Sequence, residues 1–526
     1  MLTTATLPGD WIIILPVVLP LFGAGLLLML WATARELHWL FAALVVAGVL
    51  LCDLELFRRT LETGPMSMTM GNWLPPFGIS FTADAMSAAF AMAAAAVTLL
   101  ILIYVAADMP AGGQRDGIYP LTLLLLAGVS GSFLTGDLFN LYVWFEVMLI
   151  ASFGLMVLGG KRRQLDGTLK YGFLNFLATT FFLLALGLVY GLLGTLNMAD
   201  IVRIAGEAHP AAMTGIAALL LLAFGMKAAA FPVNAWLPAS YHTPPAAISA
   251  LLAGLLTKVG VYALMRTLVM LLPSTQATLG PVVALVAIFT LLIAPLGAIA
   301  ETNLRRALGF LVIGGIGSVM LGIALADANG IAGSAAYVLH AMLTITGLYM
   351  IVGLIEKTTG AYDTRQMGGL YAAGAPLGIA FLVLIFAVAG VPPFLGFWPK
   401  LLLLESSLDS ALLISGENID WWAAALALSL LLNALLTLIA GTRLWAHVFW
   451  RAGPEGPQSE VPNDKLQPLK RNEQWLGFGS AAVLVAMVVA LGLFPNPLLD
   501  LGRTAAMDLL QPDAYVSATN LAEGTP

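Results

Sequence analysis

Apolar residues recur in runs of 18 or more along almost the whole chain, separated by short stretches that are polar or rich in Gly and Pro. A run of about 20 apolar residues crosses the hydrocarbon of a bilayer as a helix, because a helix satisfies its own backbone where water cannot. Segmenting on that basis predicts an all-α polytopic membrane protein of about fourteen spans, near residues 11–30, 38–57, 82–106, 118–135, 138–159, 171–194, 213–238, 245–271, 279–300, 306–326, 332–355, 373–408, 421–449 and 475–494. The seventh and twelfth are long and interrupted by proline. Such broken helices free backbone groups, which are tolerated in a membrane only where they line a protein-buried or watery cavity. Residues 61–79, with Gly, Pro, Asn and Trp73, read as an ordered outer loop, and 451–474, rich in Pro, Glu and Lys, as a cytoplasmic linker.

Composition agrees. At 60% hydrophobic and 10% charged residues, with a mean hydropathy of +0.93, the chain lies far outside the range of soluble domains. A net charge of -6 supplies no basic patch for nucleic acid. Cys52 is the only cysteine and the five histidines are scattered, so neither a disulfide framework, a thiolate metal site nor an iron–sulfur cluster is expected, and no cofactor. The first ten residues carry no positive charge before the first apolar run, which predicts a retained first helix rather than a cleaved signal. Neither a GxxxxGK[ST] loop nor a GxGxxG turn in a strand–helix setting is present, so coupling to ATP or direct NADH oxidation by this chain is disfavoured. The energy source is then an ion gradient or a partner.

Basic residues test the segmentation. Connections leaving odd-numbered spans hold fifteen Lys and Arg, the opposite side holds five (Arg58, Arg59, Arg203, Arg266 and Arg503), and three lysines fall inside the membrane. The positive-inside rule places the fifteen in the cytoplasm and both termini outside.

The three intramembrane lysines are Lys227, Lys258 and Lys400. An ammonium at bilayer depth costs about 3 kcal/mol on insertion scales, so it is retained mainly where it faces a bundle interior or a water path. Snorkelling to an interface is the plainer alternative. Lys227 stands just before Pro232 and Lys258 in mid-span; Lys400 follows Pro392, Pro393, Gly396 and Pro399 in the second break. Glu146 is a lone carboxylate within an apolar span. Set against Lys227 it forms either a static pair or a switch in which withdrawal of the glutamate makes the lysine release its proton. His340 lies among apolar residues with Thr344 one turn on, either as a satisfied buried histidine or as a bridge in a proton relay. His242 is placed at a cytoplasmic mouth; Asp137, at a helix start, reads more as a cap than as a carrier.

Three stretches resemble a known family: FNLYVWFEVMLIASFGLMVLGG at 139–160, FPVNAWLPASYHTPPAAISALLAGLLTKVGVYAL at 231–264, and GVPPFLGFWPKLLLLESSL at 390–408. They are similar to the antiporter-like subunits shared by respiratory complex I and Mrp-type cation/proton antiporters, and most of all to those of the Mrp D type. The resemblance implies fourteen helices, with helices 1–3 in 1–117, two inverted five-helix repeats in 118–271 (helices 4–8) and 279–449 (helices 9–13), a linker at 450–474, and helix 14 with a tail in 475–526. It further implies that Glu146, Lys227, Lys258, His340 and Lys400 translocate protons, and that the partners are the A, B, C, E, F and G types of subunit, membrane lipid, Na⁺ and H⁺, in a bacterial inner membrane. Relatives commonly carry a lysine where this chain has Thr344, so the central relay is expected to run through His340, threonine hydroxyls and water. The alternatives are a proton-pumping component of a complex I or membrane hydrogenase, and a structural scaffold with silent charges.

Overall fold

The computed structural model describes residues 8–30, 37–109, 113–412, 420–451 and 466–521, and most of the expected linker lies outside the described residues. Among these, twelve helices have the length and composition to cross a membrane, and two shorter apolar helices complete the expected fourteen. They are α1 (Leu15–Met29), α2 (His38–Thr63), α3 (Ala85–Asp108), α4 (Gly113–Leu134), α5 (Leu138–Val157), α6 (Arg162–Leu193), α7 (Pro210–Ala228), α8 (Ala246–Leu264), α9 (Gln276–Ala300), α10 (Leu304–Leu325), α11 (Ala328–Thr359), α12 (Leu370–Ala389), α13 (Trp421–Trp445) and α14 (Gly479–Leu493). A helix that is apolar all round is a core element. Both α8 and α11 are of this kind: they are buried along their length and pack on each other in the middle of the bundle.

The expected outer loop is ordered, and it contains the exception to an all-helical chain. Met66–Thr69 and Ser80–Ala83 pair as an antiparallel hairpin, with the hydroxyls of Ser67 and Thr82 3.0 Å apart.

Both predicted breaks are present and closely alike. The chain leaves α7 through Ala229 at φ 64° and α12 through Gly390 at φ 86°, and a second limb then starts at Trp236 or Phe397 (Trp236–Ser240 and Phe397–Leu412). Proline is third in each limb, Pro238 and Pro399. At the start of α5, Asp137 bridges to Asn197, and at the start of α10, Asn303 bridges in the same antiparallel manner to Asp363. Each of Asp137 and Asn303 also caps its helix, accepting the backbone N–H of the residue three positions on.

Two arginines counted among the connections are in fact buried. Arg266, in a π-helical turn that extends α8, pairs with Asp84 at the start of α3; the two side chains are 1% and 0% exposed. Asp84 uses one carboxylate oxygen in a capping box with Ser87, and its other oxygen meets the guanidinium. Arg266 also donates to the Tyr262 hydroxyl at 3.0 Å and stacks on the rings of Tyr262 and Tyr515. Arg305 pairs with Glu356 at 2.8 Å and also donates to the Pro244 carbonyl, tying α10 and α11 to the start of α8. The hydropathy pattern places both arginines near span ends; their acidic partners lie on other helices, which the pattern does not reveal.

After α14 the chain folds back as the amphipathic helix Asn496–Leu510, which lies on α11 and α3, and the short helix Asp513–Ala518 that carries Tyr515. Burial beside Asp84 pushes the Asp508 carboxyl up to about 6. The protonated form is therefore favoured by folding, and the penalty for ionising Asp508 is absent below about pH 4 and complete above about pH 6. Asp508→Asn is expected to stabilise the solubilised chain by about 1 kcal/mol at alkaline pH, discounting for partial exposure, and to have no effect near pH 4; thermal unfolding at the two pH values measures this. Arg266→Leu, which strands a buried carboxylate, is expected to cost about 3–5 kcal/mol by the same assay, and the double variant with Asp84→Asn should recover part of it.

Candidate functional site

Lys227 sits one residue before the end of α7, where Ala229 turns the chain away and the Met226 carbonyl accepts both the Ala229 N–H at 3.2 Å and the Trp236 indole of the second limb at 3.1 Å. Its ammonium is 5% exposed, donates to Thr179 Oγ1 on α6 at 2.9 Å and lies 4.7 Å from the centre of the Phe145 ring. Glu146 adjoins Phe145 in sequence but projects about 100° round α5. Its Oε1 is buried without a hydrogen bond, and no ion pair to Lys227 is closed among the described residues. The carboxylate still acts on the ammonium through space. The expected pair is thus present as neighbours, with the lysine resting on a hydroxyl and an aromatic face instead.

Helix α8 brings Lys258 alongside. Gly260, two residues on, packs against α7 so closely that a Cβ there would lie 2.9 Å from the Ala228 nitrogen. Lys258 is 2% exposed and its ammonium donates to the Ala253 carbonyl of its own helix at 2.6 Å. Across the α8–α11 contact stands His340, whose Nδ1 is 3.1 Å from Thr344 Oγ1, with Tyr337 edge-on at 5.2 Å. The Thr344 hydroxyl is therefore in hydrogen-bond contact with the histidine.

The other edge of His340 faces the second break. A Cβ at Gly396 would lie 2.8 Å from His340 Nε2 and 1.9 Å from the Ala387 carbonyl, so only glycine fits there. Lys400, on the second limb, folds back over the break. It donates to the carbonyls of Val388 and Ala389 at 3.0 and 3.1 Å and lies 3.4 Å from Asn433 Oδ1 on α13. Those carbonyls are the orphan acceptors at the end of α12, where the helix dipole also favours a cation. Asn433 is itself fixed by donating to the Leu291 carbonyl at 2.8 Å.

Of the predicted residues, Glu146, Lys227, Lys258, His340, Thr344 and Lys400 fall along one succession of packed helices, α5, α6, α7, α8, α11 and the second limb of α12. His242 and Asp137 are at the ends of elements. The His242 Nδ1 is 2.8 Å from the Pro238 carbonyl, and burial takes the imidazole down to about 4, so it is neutral at physiological pH. Asp137 is a cap. Thr179 and Asn433 were not singled out by sequence; the available signal is a polar side chain inside an apolar run.

A helical bundle with two broken helices and a row of buried cations between them is an antiporter-like membrane protein in architecture. Residues 135–415 match the family described as NADH:quinone oxidoreductase/Mrp antiporter, TM. The D-type Na(+)/H(+) antiporter subunit of Alkalihalophilus pseudofirmus is 34% identical over 508 residues, covering 96% of this chain and 99% of the relative. The protein of the same description in Bacillus subtilis is 34% identical over 509 residues, covering 96% and 98%. A chain of the Mrp complex from a Dietzia species superposes with a TM-score of 0.87 at 28% identity, covering 98% of this chain and 100% of that one. A chain of respiratory complex I from Thermus thermophilus shares the fold, with a TM-score of 0.78 at 24% identity and coverage of 95% and 99%. The chain belongs to the NADH:quinone oxidoreductase/Mrp antiporter membrane-subunit family.

The tight contact at 396 makes a simple test of the second break. Gly396→Ala is expected to cost about 2 kcal/mol or more, because the methyl must displace backbone. Gly25→Ala on α1 meets nothing within 4 Å and should leave thermal unfolding unchanged.

Proposed function

We propose that this chain is the D-type, proton-translocating member of a multisubunit Na⁺/H⁺ antiporter, a secondary transporter rather than an enzyme. The observation that carries the reading is the row of buried lysines, Lys227, Lys258 and Lys400, each resting on neutral oxygens rather than on a carboxylate. Such an ammonium can give up its proton without stranding a negative partner beside it. Protons move along Glu146, Lys227, Lys258, His340 with Thr344, and Lys400, while closing and opening of the Glu146–Lys227 pair sets when the first lysine releases its proton.

Two five-helix repeats, in 118–271 and 279–449, organise the row, with 1–117, the 450–474 linker and 475–526 outside them. The like breaks after α7 and α12 and the like bridges Asp137–Asn197 and Asn303–Asp363 support the repeat. Because α5 and α10 differ by an odd number of crossings, the two repeats are inverted. The Lys and Arg bias supports both termini outside a bacterial inner membrane, with the end bearing Arg162, Arg163, Arg305 and Arg306 in the cytoplasm. The relatives are named as subunits of an antiporter, which supports a hetero-oligomeric assembly; on this reading the other members are of the A, B, C, E, F and G types.

The test is cation-induced collapse of a pH gradient in everted vesicles from an antiporter-deficient strain expressing the whole operon. Glu146→Ala, Lys227→Ala and Lys400→Ala are each expected to lower Na⁺-dependent proton movement at least about tenfold, within the range over which positioned proton-transfer groups act, with assembly intact. Wild-type rates in all three would make the charges structural. A wild type without any cation response would favour a redox-driven pump.

A further inference from the structure

An ammonium beside an unpaired buried carboxylate tends to close on it, because opposite charges attract strongly where water is excluded. Lys227 has not done so. Glu146 acts on it through space, yet the Glu146 Oε1 stays buried without a hydrogen bond. Other groups therefore compete for the lysine. One is the Thr179 hydroxyl at 2.9 Å, which engages one of the three N–H donors. The other is the face of the Phe145 ring, whose centre lies 4.7 Å from the ammonium. Phe145 is fully buried, and a desolvated cation over an aromatic face is held by the negative charge of the π cloud.

The ring is itself fixed. It stacks on Phe224 at 5.9 Å and 24° and meets Phe182 edge-on at 6.0 Å, while Phe182 and Phe224 meet edge-on at 4.6 Å. The three rings come from α5, α6 and α7, and each stands within about one turn of a polar member of the site. Phe145 adjoins Glu146, Phe182 is three residues after Thr179, and Phe224 is three residues before Lys227. The lysine thus has an aromatic side and a carboxylate side, supplied by consecutive residues of α5 that project about 100° apart. Core packing alone accounts for three apolar rings in a bundle. It does not account for an ammonium lying over one of them with a carboxylate at hand.

We propose that Phe145 is a positioning residue that seats the Lys227 ammonium in the open state of the Glu146–Lys227 pair, so that ring and carboxylate are the two partners between which the lysine changes. The inference rests on the proton-carrying reading of Lys227. The ring holds the charged form alone, since a neutral amine gains nothing comparable from the quadrupole. It neither gives nor takes a proton, so a lysine seated there keeps its charge without an acidic partner. Loss of the seat leaves the ammonium to the carboxylate, and the pair then has no stable open state. Ionisable groups on the elements packed around Lys227 are Glu146 from α5, Tyr171 from α6, Tyr241 from the second limb and Lys258 on α8.

The test alters Phe145 within the whole complex. Trifluorophenylalanine at this position keeps the ring and its packing but withdraws most of the negative charge from its face. It is expected to slow Na⁺-driven proton movement in everted vesicles about tenfold, and to move the alkaline limb of the pH profile about one unit toward neutral, because the charged lysine has lost its seat. In Phe145→Leu, electron cryomicroscopy is expected to show Lys227 closed on Glu146 at an N–O distance of about 3 Å. A fluorinated complex with the rate and pH profile of wild type would overturn the seat and leave Phe145 a packing residue. So would density for Phe145→Leu in which the ammonium stays on Thr179, apart from Glu146. Wild-type transport in Lys227→Ala would overturn the proton-carrying reading alone, because the density decides the seat independently.

Discussion

An ammonium group withdrawn from water into an apolar bundle must find oxygen, and that requirement shapes the centre of this protein. Isolated charge there is prohibitively costly, and regular helices offer few acceptors because their carbonyls are already engaged. Three lysines solve the problem in three ways. Lys227 reaches a threonine on the neighbouring helix, Lys258 doubles up on a carbonyl of its own helix, and Lys400 sits on carbonyls that a helix break has freed. None of the three is in direct ion-pair contact with an acid among the described residues. The breaks, often read as points of weakness, are on this account what allows charge to be kept at mid-bundle.

The two breaks share a backbone but differ in where the cation stands. At the first, Lys227 precedes the break and the Met226 carbonyl is shared between the Ala229 N–H and the Trp236 indole; at the second, the cation follows the break and takes the carbonyls itself. Among the described residues an acidic side chain acts on the lysine only at the first, and the amide of Asn433 serves at the second. Two breaks of like backbone thus have unlike surroundings. At the first end a carboxylate lies near its lysine without closing on it, whereas at the second the acceptors of the helix terminus hold the lysine directly. That asymmetry distinguishes the two ends of a row of otherwise similar lysines.

Much of this was legible in the sequence, for a physical reason. Lipid demands long apolar runs and makes every interior charge conspicuous, so the spans, the broken seventh and twelfth helices and the residues Glu146, Lys227, Lys258, His340 and Lys400 stood out against their surroundings. What could not be read were partners distant in the chain. Arg266 sits in an apolar span end and looks like a loop charge until Asp84, on another helix, is found against it. Arg305 and Glu356 behave the same way. Thr179 and Asn433 are ordinary polar residues by composition, and only packing gives them a cation to hold. The Glu146–Lys227 pair fails in the opposite sense: both residues were identified and are neighbours, but contact depends on which face of α5 is turned inward, and Phe145 occupies it.

The same constraint explains the rigid clusters at both ends of the bundle. Asp84–Arg266, stacked between Tyr262 and Tyr515, and Arg305–Glu356, tied to the Pro244 carbonyl, are closed ion pairs with further hydrogen bonds. Buried pairs of this kind add little net stability, but they fix register strongly because separating them strands a charge. Both clamp α8, one at each end, to other helices: Arg266 to α3, and the Pro244 carbonyl through Arg305 to α10 and α11. With its ends held, α8 is free to carry a lysine in its middle on nothing stronger than a carbonyl oxygen. The closed ion pairs thereby set the position of the buried lysine between them.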